Sequence, residues 1–147
     1  MIVVGIDGSP GSRLALEFAV GEAELRGSDL RLVCTWQLPM PVYGGAMMAP
    51  TVPVDPFAEE SRELAARQMS EVLAGHADVG AELVLREGSA ARLLVEESKQ
   101  AELLVVGSRG RGGFAGLLMG SVSQQCAAHA CCPVVIVPAL AQHADQG

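Results

Sequence analysis

The chain has 147 residues, a formal net charge of −7 and a composition that is 50% hydrophobic but only 3% aromatic. One domain of this size must build its core from Val, Leu, Ala and Ile, which suits parallel strands covered by helices on both faces. The negative charge argues against a general nucleic-acid or anionic-membrane binder, and no apolar run approaches the roughly 20 residues of a membrane helix.

The N-terminal residues Met1–Ile6 predict a first strand, which ends at Asp7. Ser9 is placed as an N-cap before Pro10, so a helix is expected to follow, and Gly27 can end it. The apolar stripe of this predicted helix consists of Leu14, Phe18, Gly21 and Leu25. A strand followed directly by a capped helix is the beginning of a βαβ unit.

The second predicted strand, Leu30–Thr35, is followed by a segment that breaks the pattern. Residues 36–56 contain five prolines and a pair of glycines, which permit no regular element. A loop of this length in a small domain is usually functional or disordered. The second predicted helix is marked by Leu64, Ala65, Met69, Val72 and Leu73.

The rest of the chain continues the alternation of strands and helices. The predicted elements are a strand Ala81–Leu85, a helix Ala90–Gln100, a strand Leu103–Val106, a helix Ser121–Cys131 and a strand Val134–Val137. With right-handed crossovers, this order predicts an α/β fold. We expect a single doubly wound, open, parallel five-stranded sheet of order 3-2-1-4-5, Rossmann-like, with helices on both faces. The domain would span residues 1–138, with 139–147 as a C-terminal tail.

In such sheets ligands bind at the carboxyl ends of the strands, where the winding direction reverses. The two candidate corners are the end of the first strand, at Gly5 and Asp7, and the loop that begins at Gly107 after the fourth strand. No Asp or Glu occurs from Leu103 to Ala144, although the protein as a whole is acidic. A buried core segment would explain the apolar ends of this stretch but not its arginines.

The loop after the fourth strand is rich in glycine and leads into a helix. Glycine lets backbone N–H groups approach an anion closely, and a helix N-terminus adds more amides and a positive dipole end. Arg109 and the hydroxyls of Ser121 and Ser123 can add hydrogen bonds to phosphate oxygens. The segment lacks a Walker A sequence, and Gly5, Gly8 and Gly11 have the wrong spacing for a dinucleotide fingerprint.

The spacing that it does match is G-x2-G-x9-G-[ST], as Gly107, Gly110, Gly120 and Ser121. This stretch resembles the nucleotide-binding motif of the universal stress protein family. Residues 2–9 are similar to the opening strand and turn of that family, and residues 132–137 to its closing strand. The resemblance covers about residues 1–138.

The resemblance implies ATP or a related adenine nucleotide as ligand, with or without Mg²⁺, and a homodimer joined through the strand at 133–138. Asp7 would lie near the ribose or adenine, with the backbone of Gly5 beside it. The residues implied to hold the phosphates and ribose are Gly107, Arg109, Gly110, Gly120, Ser121, Val122 and Ser123. Thr35 belongs to the same predicted site, although Cys34, Thr35 and Trp36 stand where the family often has His and a small aliphatic residue.

Several of these residues also have a purely structural explanation. Asp7 can be a turn residue that accepts backbone amides, and Ser121 with Gln124 fits a capping box. Arg111 is either a further ligand of the site or a solvated charge at its rim. Cys131-Cys132 lacks the spacing of a redox or metal motif, and Cys126 with His129 is interpreted as one helical face.

No catalytic set and no metal site is visible, since a fast hydrolase needs a placed general base and a carboxylate for Mg²⁺. The favoured function is therefore an adenine-nucleotide-binding regulatory or stress-response module and not an enzyme, with weak ATPase activity left open. A slow ATPase or nucleotidyl-transfer enzyme and a nucleotide-free dimeric interaction domain are the alternatives. The first ten residues lack the basic region of a signal peptide, so we expect a cytoplasmic protein with reduced cysteines.

Overall fold

The computed structural model describes residues 1–38, 42–43, 46–47, 55–110 and 119–139. In chain order the elements are β1 (Ile2–Gly5), α1 (Pro10–Arg26), β2 (Leu30–Trp36), β3 (Val42–Tyr43), β4 (Ala46–Met47), α2 (Asp55–Leu73), β5 (Ala81–Glu87), α3 (Ala90–Glu97), a 3₁₀ turn (Ser98–Gln100), β6 (Leu103–Gly107), α4 (Ser121–His129) and β7 (Val134–Val137). None of the described helices is long and apolar enough to cross a membrane.

Five of the strands form one parallel sheet in the order β5-β2-β1-β6-β7. Numbered along the sheet-forming strands, this is the predicted order 3-2-1-4-5, so the predicted α/β fold is confirmed. The remaining pair, β3 and β4, is a small antiparallel hairpin. The prediction that residues 36–56 contain no regular element is therefore wrong at this hairpin, at the last residue of β2 and at the start of α2.

The central strands β1, β2 and β6 are buried on both faces, as their aliphatic composition predicts. Side chains that alternate along β1 enter two different core clusters: Ile2 and Val4 lie on the face covered by α1 and α2, and Val3 lies on the face of α3 and α4. The strands are short runs of Val, Leu and Ile because both faces of a central parallel strand must be apolar.

The apolar stripe predicted for α1 is wrong, because the opposite face of the helix is buried. The buried residues of α1 are Ser12, Ala15, Leu16, Ala19, Val20 and Ala23. Phe18 is 39% exposed and Leu25 is 84% exposed. Small alanine side chains let the helix axis approach the sheet closely, and a periodicity judged on large residues overlooks them.

The cysteines differ in their surroundings. Cys126 is fully buried in α4, and burial raises the pKa of its thiol to about 11, so it stays neutral. Cys126 thus belongs to the buried face of α4, whereas His129, which was assigned to the same helical face, is exposed. Cys34 is also buried, whereas Cys131 is exposed and Cys132 lies between these extremes.

Candidate functional site

The carboxyl ends of β1, β2 and β6 open onto a cavity of about 560 Å³. Strands β1 and β6 are neighbours in the sheet, but the chain leaves β1 toward β2 and leaves β6 toward β7. The loops that follow these two strands must therefore separate, and the separation creates a crevice at the point expected for a doubly wound sheet.

Both predicted corners of the site lie in this cavity. The predicted site residues that line it are Gly5, Asp7, Thr35, Gly107, Arg109, Gly110, Gly120, Ser121, Val122 and Ser123. Arg111, the remaining predicted site residue, and most of the predicted 36–56 loop lie outside the described residues.

Asp7 anchors the turn between β1 and α1. Its Oδ1 accepts a hydrogen bond from the backbone N–H of Ser9 at 2.9 Å, and the hydroxyl of Ser9 in turn accepts from Ser12 N at 3.2 Å as the N-cap of α1. Asp7 is thus a turn residue, and it also lines the cavity. The structural interpretation of Asp7 is confirmed, and its position near a ribose or adenine stays a prediction.

Gly110 lies next to Asp7, so the loop after β6 contacts the turn after β1. A Cβ atom added at Gly110 would lie 2.8 Å from Asp7 Oδ2, closer than a carbon and an oxygen can normally approach. Because residue 110 is glycine, its backbone can lie next to the Asp7 carboxylate without a steric clash.

The two ends of the glycine loop are held together by the backbone of Ser108. Its carbonyl oxygen accepts from Gly120 N at 2.6 Å and from the hydroxyl of Ser123 at 3.0 Å. Its N–H donates to the carbonyl of Val137 at 2.8 Å, and its hydroxyl accepts from Ala139 N at 3.0 Å. Ser108 is 5% exposed and connects β6, α4 and β7 at the cavity wall. We call residues 107–109 and Gly120, where the glycine loop begins and ends, the loop base.

Ser123 contributes to this closure. The same hydroxyl also lies 2.9 Å from the carbonyl of Gly120, so both acceptors available to its proton are backbone oxygens of the loop base. Ser123 is 2% exposed. Its position favours shaping the cavity over donating a hydrogen bond to a ligand.

A contact between two glycines fixes the loop base against α1. A Cβ at Gly107 would lie 2.7 Å from the carbonyl oxygen of Gly11, and a Cβ at Gly11 would overlap the carbonyl oxygen of Arg109. These are backbone atoms, which cannot rotate away as a side chain can. Gly11 was not predicted as a site residue, although the glycine spacing after β1 drew attention to it.

The capping box predicted at Ser121 and Gln124 is wrong. Gly120 is the N-cap of α4, with an extended backbone (φ −76°, ψ 169°), and Ser121 is the first helical residue. The side chain of Gln124 donates to the carbonyl of Met119 at 3.0 Å instead of closing a box. Because glycine has no capping side chain, the N-cap residue leaves the first amides of α4 without a side-chain cap, and residues 121–123 line the cavity.

Arg109 and Asp7 are the only charged side chains among the described lining residues. The Nε atom of Arg109 is buried and has no hydrogen-bond partner in the described part of the chain. A buried donor without a partner costs about 1–3 kcal/mol, and more when it is charged. A phosphate oxygen would supply the missing acceptor and the missing negative charge together.

The other end of the cavity is mainly apolar. It is lined by Val33, Cys34, Trp36, Ala91 and Leu94 from β2 and α3, with Thr35 among them. A Cβ at Gly5 would lie 2.9 Å from Leu94 Cδ1, so the absence of a side chain at Gly5 lets Leu94 pack closely against the end of β1. One cavity thus joins an apolar compartment to a compartment of backbone amides and one arginine.

Sequence reasoning missed part of this wall. The unpredicted lining residues include Ser9, Ser12, Ser61, Ser89, Ala91, Leu94 and Ser108. Gly88 and Ser89 follow the end of β5 directly, and this pattern could have predicted that the start of α3 lies at the cavity. The contribution of Ser61 from α2 could not be found this way, because it depends on how a distant helix packs.

Comparison with known proteins agrees with the family resemblance of the glycine motif. The model described as the universal stress protein family matches residues 1–138. A universal stress protein of Mycolicibacterium smegmatis is 39% identical over 140 residues, which are 92% of this chain but 45% of the relative. The chain therefore spans less than half the length of that relative.

Two solved structures extend the comparison. Universal stress protein UspA from Lactobacillus plantarum superimposes with a TM-score of 0.72 at 20% identity, over 92% of this chain and 95% of the other. A universal stress protein crystallised in complex with cAMP is 28% identical, with a TM-score of 0.55, over 92% of this chain and 94% of the other.

Proposed function

Because this chain belongs to the universal stress protein family, we propose that it binds an adenine nucleotide, with ATP as the expected ligand, in the cavity at the ends of β1, β2 and β6. In this proposal the chain acts as a regulatory or stress-response module with little or no hydrolysis. Nucleotide occupancy, and not product formation, would be its output.

The observation that carries the proposal is the buried, unpartnered Nε of Arg109 beside the uncapped start of α4. Backbone amides at a helix N-terminus and a guanidinium bind phosphate through the same oxygens, and their effects reinforce each other. Gly120 and Ser121 would hold the phosphates from one side and Gly110 from the other.

The apolar compartment supports the adenine part of the ligand. A flat base would contact the apolar lining side chains of β2 and α3, among them Val33 and Leu94. The relative solved with cAMP carries an adenine and a single phosphate, and at 28% identity it is similar enough to make this chemistry the first expectation here.

Slow hydrolysis follows from the charges of the site. Asp7 is the only carboxylate among the described lining residues, and its Oδ1 already accepts a backbone amide. A general base and a protein carboxylate for Mg²⁺ would both have to come from this one side chain. Any Mg²⁺ would therefore enter with the nucleotide, held mainly by phosphate oxygens and water.

Calorimetric titration of ATP into the purified protein tests the proposal, with the hydrolysis rate measured on the same sample. We expect saturable binding and a rate below about one per second, which is the low end of typical enzymes. Arg109→Gln should weaken binding by about tenfold or more, because it removes a charge-assisted hydrogen bond. Arg62→Gln, at an exposed arginine of α2, is the matched control and should bind like the wild type.

The outcomes separate the three functional classes. Binding without turnover supports the regulatory module. Turnover above that rate, lost in Asp7→Ala, would establish the enzyme instead, and absence of any nucleotide binding would leave the interaction domain.

We further propose that two copies pair through β7, at the edge of the sheet. The carbonyls of Pro133 and Val137 accept hydrogen bonds from the backbone of β6 and of the residue after it. The alternate residues Val134 and Ile136 therefore direct their amides toward the edge of the sheet, where no described strand pairs with β7. An apolar edge strand with free amides readily pairs with a second chain, and antiparallel pairing of identical strands closes a dimer.

Sedimentation velocity at micromolar concentration measures this assembly. We expect a dimer for the wild type and a monomer for Ile136→Pro, because proline removes one outward donor while the carbonyl contacts to β6 remain. A wild type that sediments only as a monomer would refute pairing through β7.

A further inference from the structure

A buried glutamine on α2 is bonded to the turn that carries Asp7. Gln68 is 6% exposed, and its side chain contacts α1 on both polar atoms. Its Nε2 donates to the carbonyl of Ser9 at 3.0 Å, and its Oε1 accepts from the hydroxyl of Ser12 at 2.8 Å. Both partners lie in the first turn of α1 or just before it.

The network continues to Asp7 itself. The hydroxyl of Ser12 accepts from the backbone N–H of Asp7 at 3.3 Å, in addition to its contact with Gln68. The orientation of the Gln68 amide is fixed, because the carbonyl of Ser9 requires a donor at that position. A carboxylate would place two acceptors face to face, so only an amide satisfies this arrangement.

Gln68 does not line the nucleotide cavity. It lines a second, outer cavity of about 430 Å³, and Ser9 belongs to the walls of both cavities. Ser9 and Ser12 therefore stand between Gln68 and any nucleotide. An effect of Gln68 on binding must pass through the turn formed by these residues.

Helix α2 contacts the site at a second point. The thiol of Cys34 lies 3.5 Å from the carbonyl of Ser61, and both residues line the nucleotide cavity. Toward the surface, Arg13 of α1 forms an ion pair with Glu71 of α2. Helix α2 therefore contacts both α1 and the wall of the nucleotide cavity.

We infer that Gln68 is a positioning residue for the nucleotide site, which holds the Asp7–Ser12 turn in its binding geometry and couples α2 to the binding equilibrium through its hydrogen bonds to Ser9 and Ser12. This inference rests on the proposed function, since it assumes that the cavity takes an adenine nucleotide. The coupling is reciprocal: if docked α2 favours the nucleotide, bound nucleotide must favour docked α2 to the same extent.

The experiment compares Gln68→Met with Val72→Ala in the full chain. Methionine has nearly the volume of glutamine but neither hydrogen-bonding group, whereas Val72→Ala removes a core contact of α2 outside the network. Titration with AMP should give a dissociation constant about tenfold higher for Gln68→Met, from the loss of one or two buried hydrogen bonds. Val72→Ala should lower the melting temperature and leave the dissociation constant within about twofold of the wild type.

Hydrogen exchange measures how far AMP protects the amides of α2, and a purely structural role of Gln68 would leave this protection unchanged. AMP should slow the exchange of α2 amides in the wild type and in Val72→Ala, and should leave them unchanged in Gln68→Met. Equal affinity and equal α2 protection in Gln68→Met and wild type would overturn the inference while leaving the proposed function intact. A wild type that binds no nucleotide would overturn both.

Discussion

Gly110→Val should abolish the stabilisation that ATP gives to the wild type. At a ligand concentration 100 times the dissociation constant, binding to the folded state adds about 2.7 kcal/mol. For a domain of this size, that raises the melting temperature by about 8 °C. The valine Cβ would begin 2.8 Å from Asp7 Oδ2, so the side chain must displace the carboxylate or occupy the cavity where the glycine loop meets it.

The control is the same substitution on the surface of α1. A Cβ at Gly21 meets nothing within 4 Å, so Gly21→Val should keep the full ATP shift. Differential scanning fluorimetry with and without ATP measures both variants and the wild type. An undiminished shift in Gly110→Val would show that the nucleotide binds away from the glycine loop.

Gly11→Ala should destabilise the protein by about 2–3 kcal/mol, the upper part of the range expected when an extra methyl is forced into close-packed structure, because the clash is with a backbone atom. The new methyl would overlap the carbonyl oxygen of Arg109, and the first turn of α1 would have to separate from the end of β6. The expected fall in melting temperature is about 8 °C. Because the loop base moves with Arg109, the affinity for ATP should fall as well.

Gly21→Ala provides a matched control on the same helix. This position has free space around it and lies inside α1, where alanine is favoured over glycine by roughly 0.5–1 kcal/mol. The two glycine-to-alanine changes should therefore have opposite signs in urea unfolding. If Gly11→Ala is as stable as Gly21→Ala, the close contact between α1 and the loop base is not the reason for glycine at this position.

The glycine motif shows which features of the site a local sequence pattern can predict. The spacing of Gly107, Gly110 and Gly120 located the cavity wall, and the structure assigns each glycine a different physical reason. Gly107 avoids a backbone carbonyl, Gly110 avoids a carboxylate, and Gly120 is an N-cap without a capping side chain. The motif by itself does not distinguish these reasons, because each involves an atom far away along the chain.

The errors of the sequence interpretation have the same origin. The stripe of Leu14, Phe18 and Leu25 has the larger side chains, but the face with Ala15, Ala19 and Ala23 is buried. Which face is buried depends on how closely the helix must approach the sheet. That distance is set by β1 and β6, the strands it crosses, and not by the helix alone.

Ser121 and Gln124 had the composition of a capping box, but the hydrogen bond from Gly120 N to Ser108 O determines where α4 begins. A capping pattern in the sequence identifies several residues that could be the N-cap. The hydrogen bond from Gly120 N to Ser108 O then makes Gly120 the N-cap.

The sequence by itself determined the number of sheet strands, their order and the place of the cavity at the strand ends. These follow from short apolar runs, from turn residues next to them and from the right-handed crossover rule, all of which act within one βα unit. Only the tertiary structure decided the buried face of α1, the contact between Gly11 and the loop base, and the bonds from Gln68 to Ser9 and Ser12. Each of these depends on distances between segments that meet only after the sheet has formed, and side-chain volume and hydrogen-bond geometry then select one packing from several that the local pattern allows.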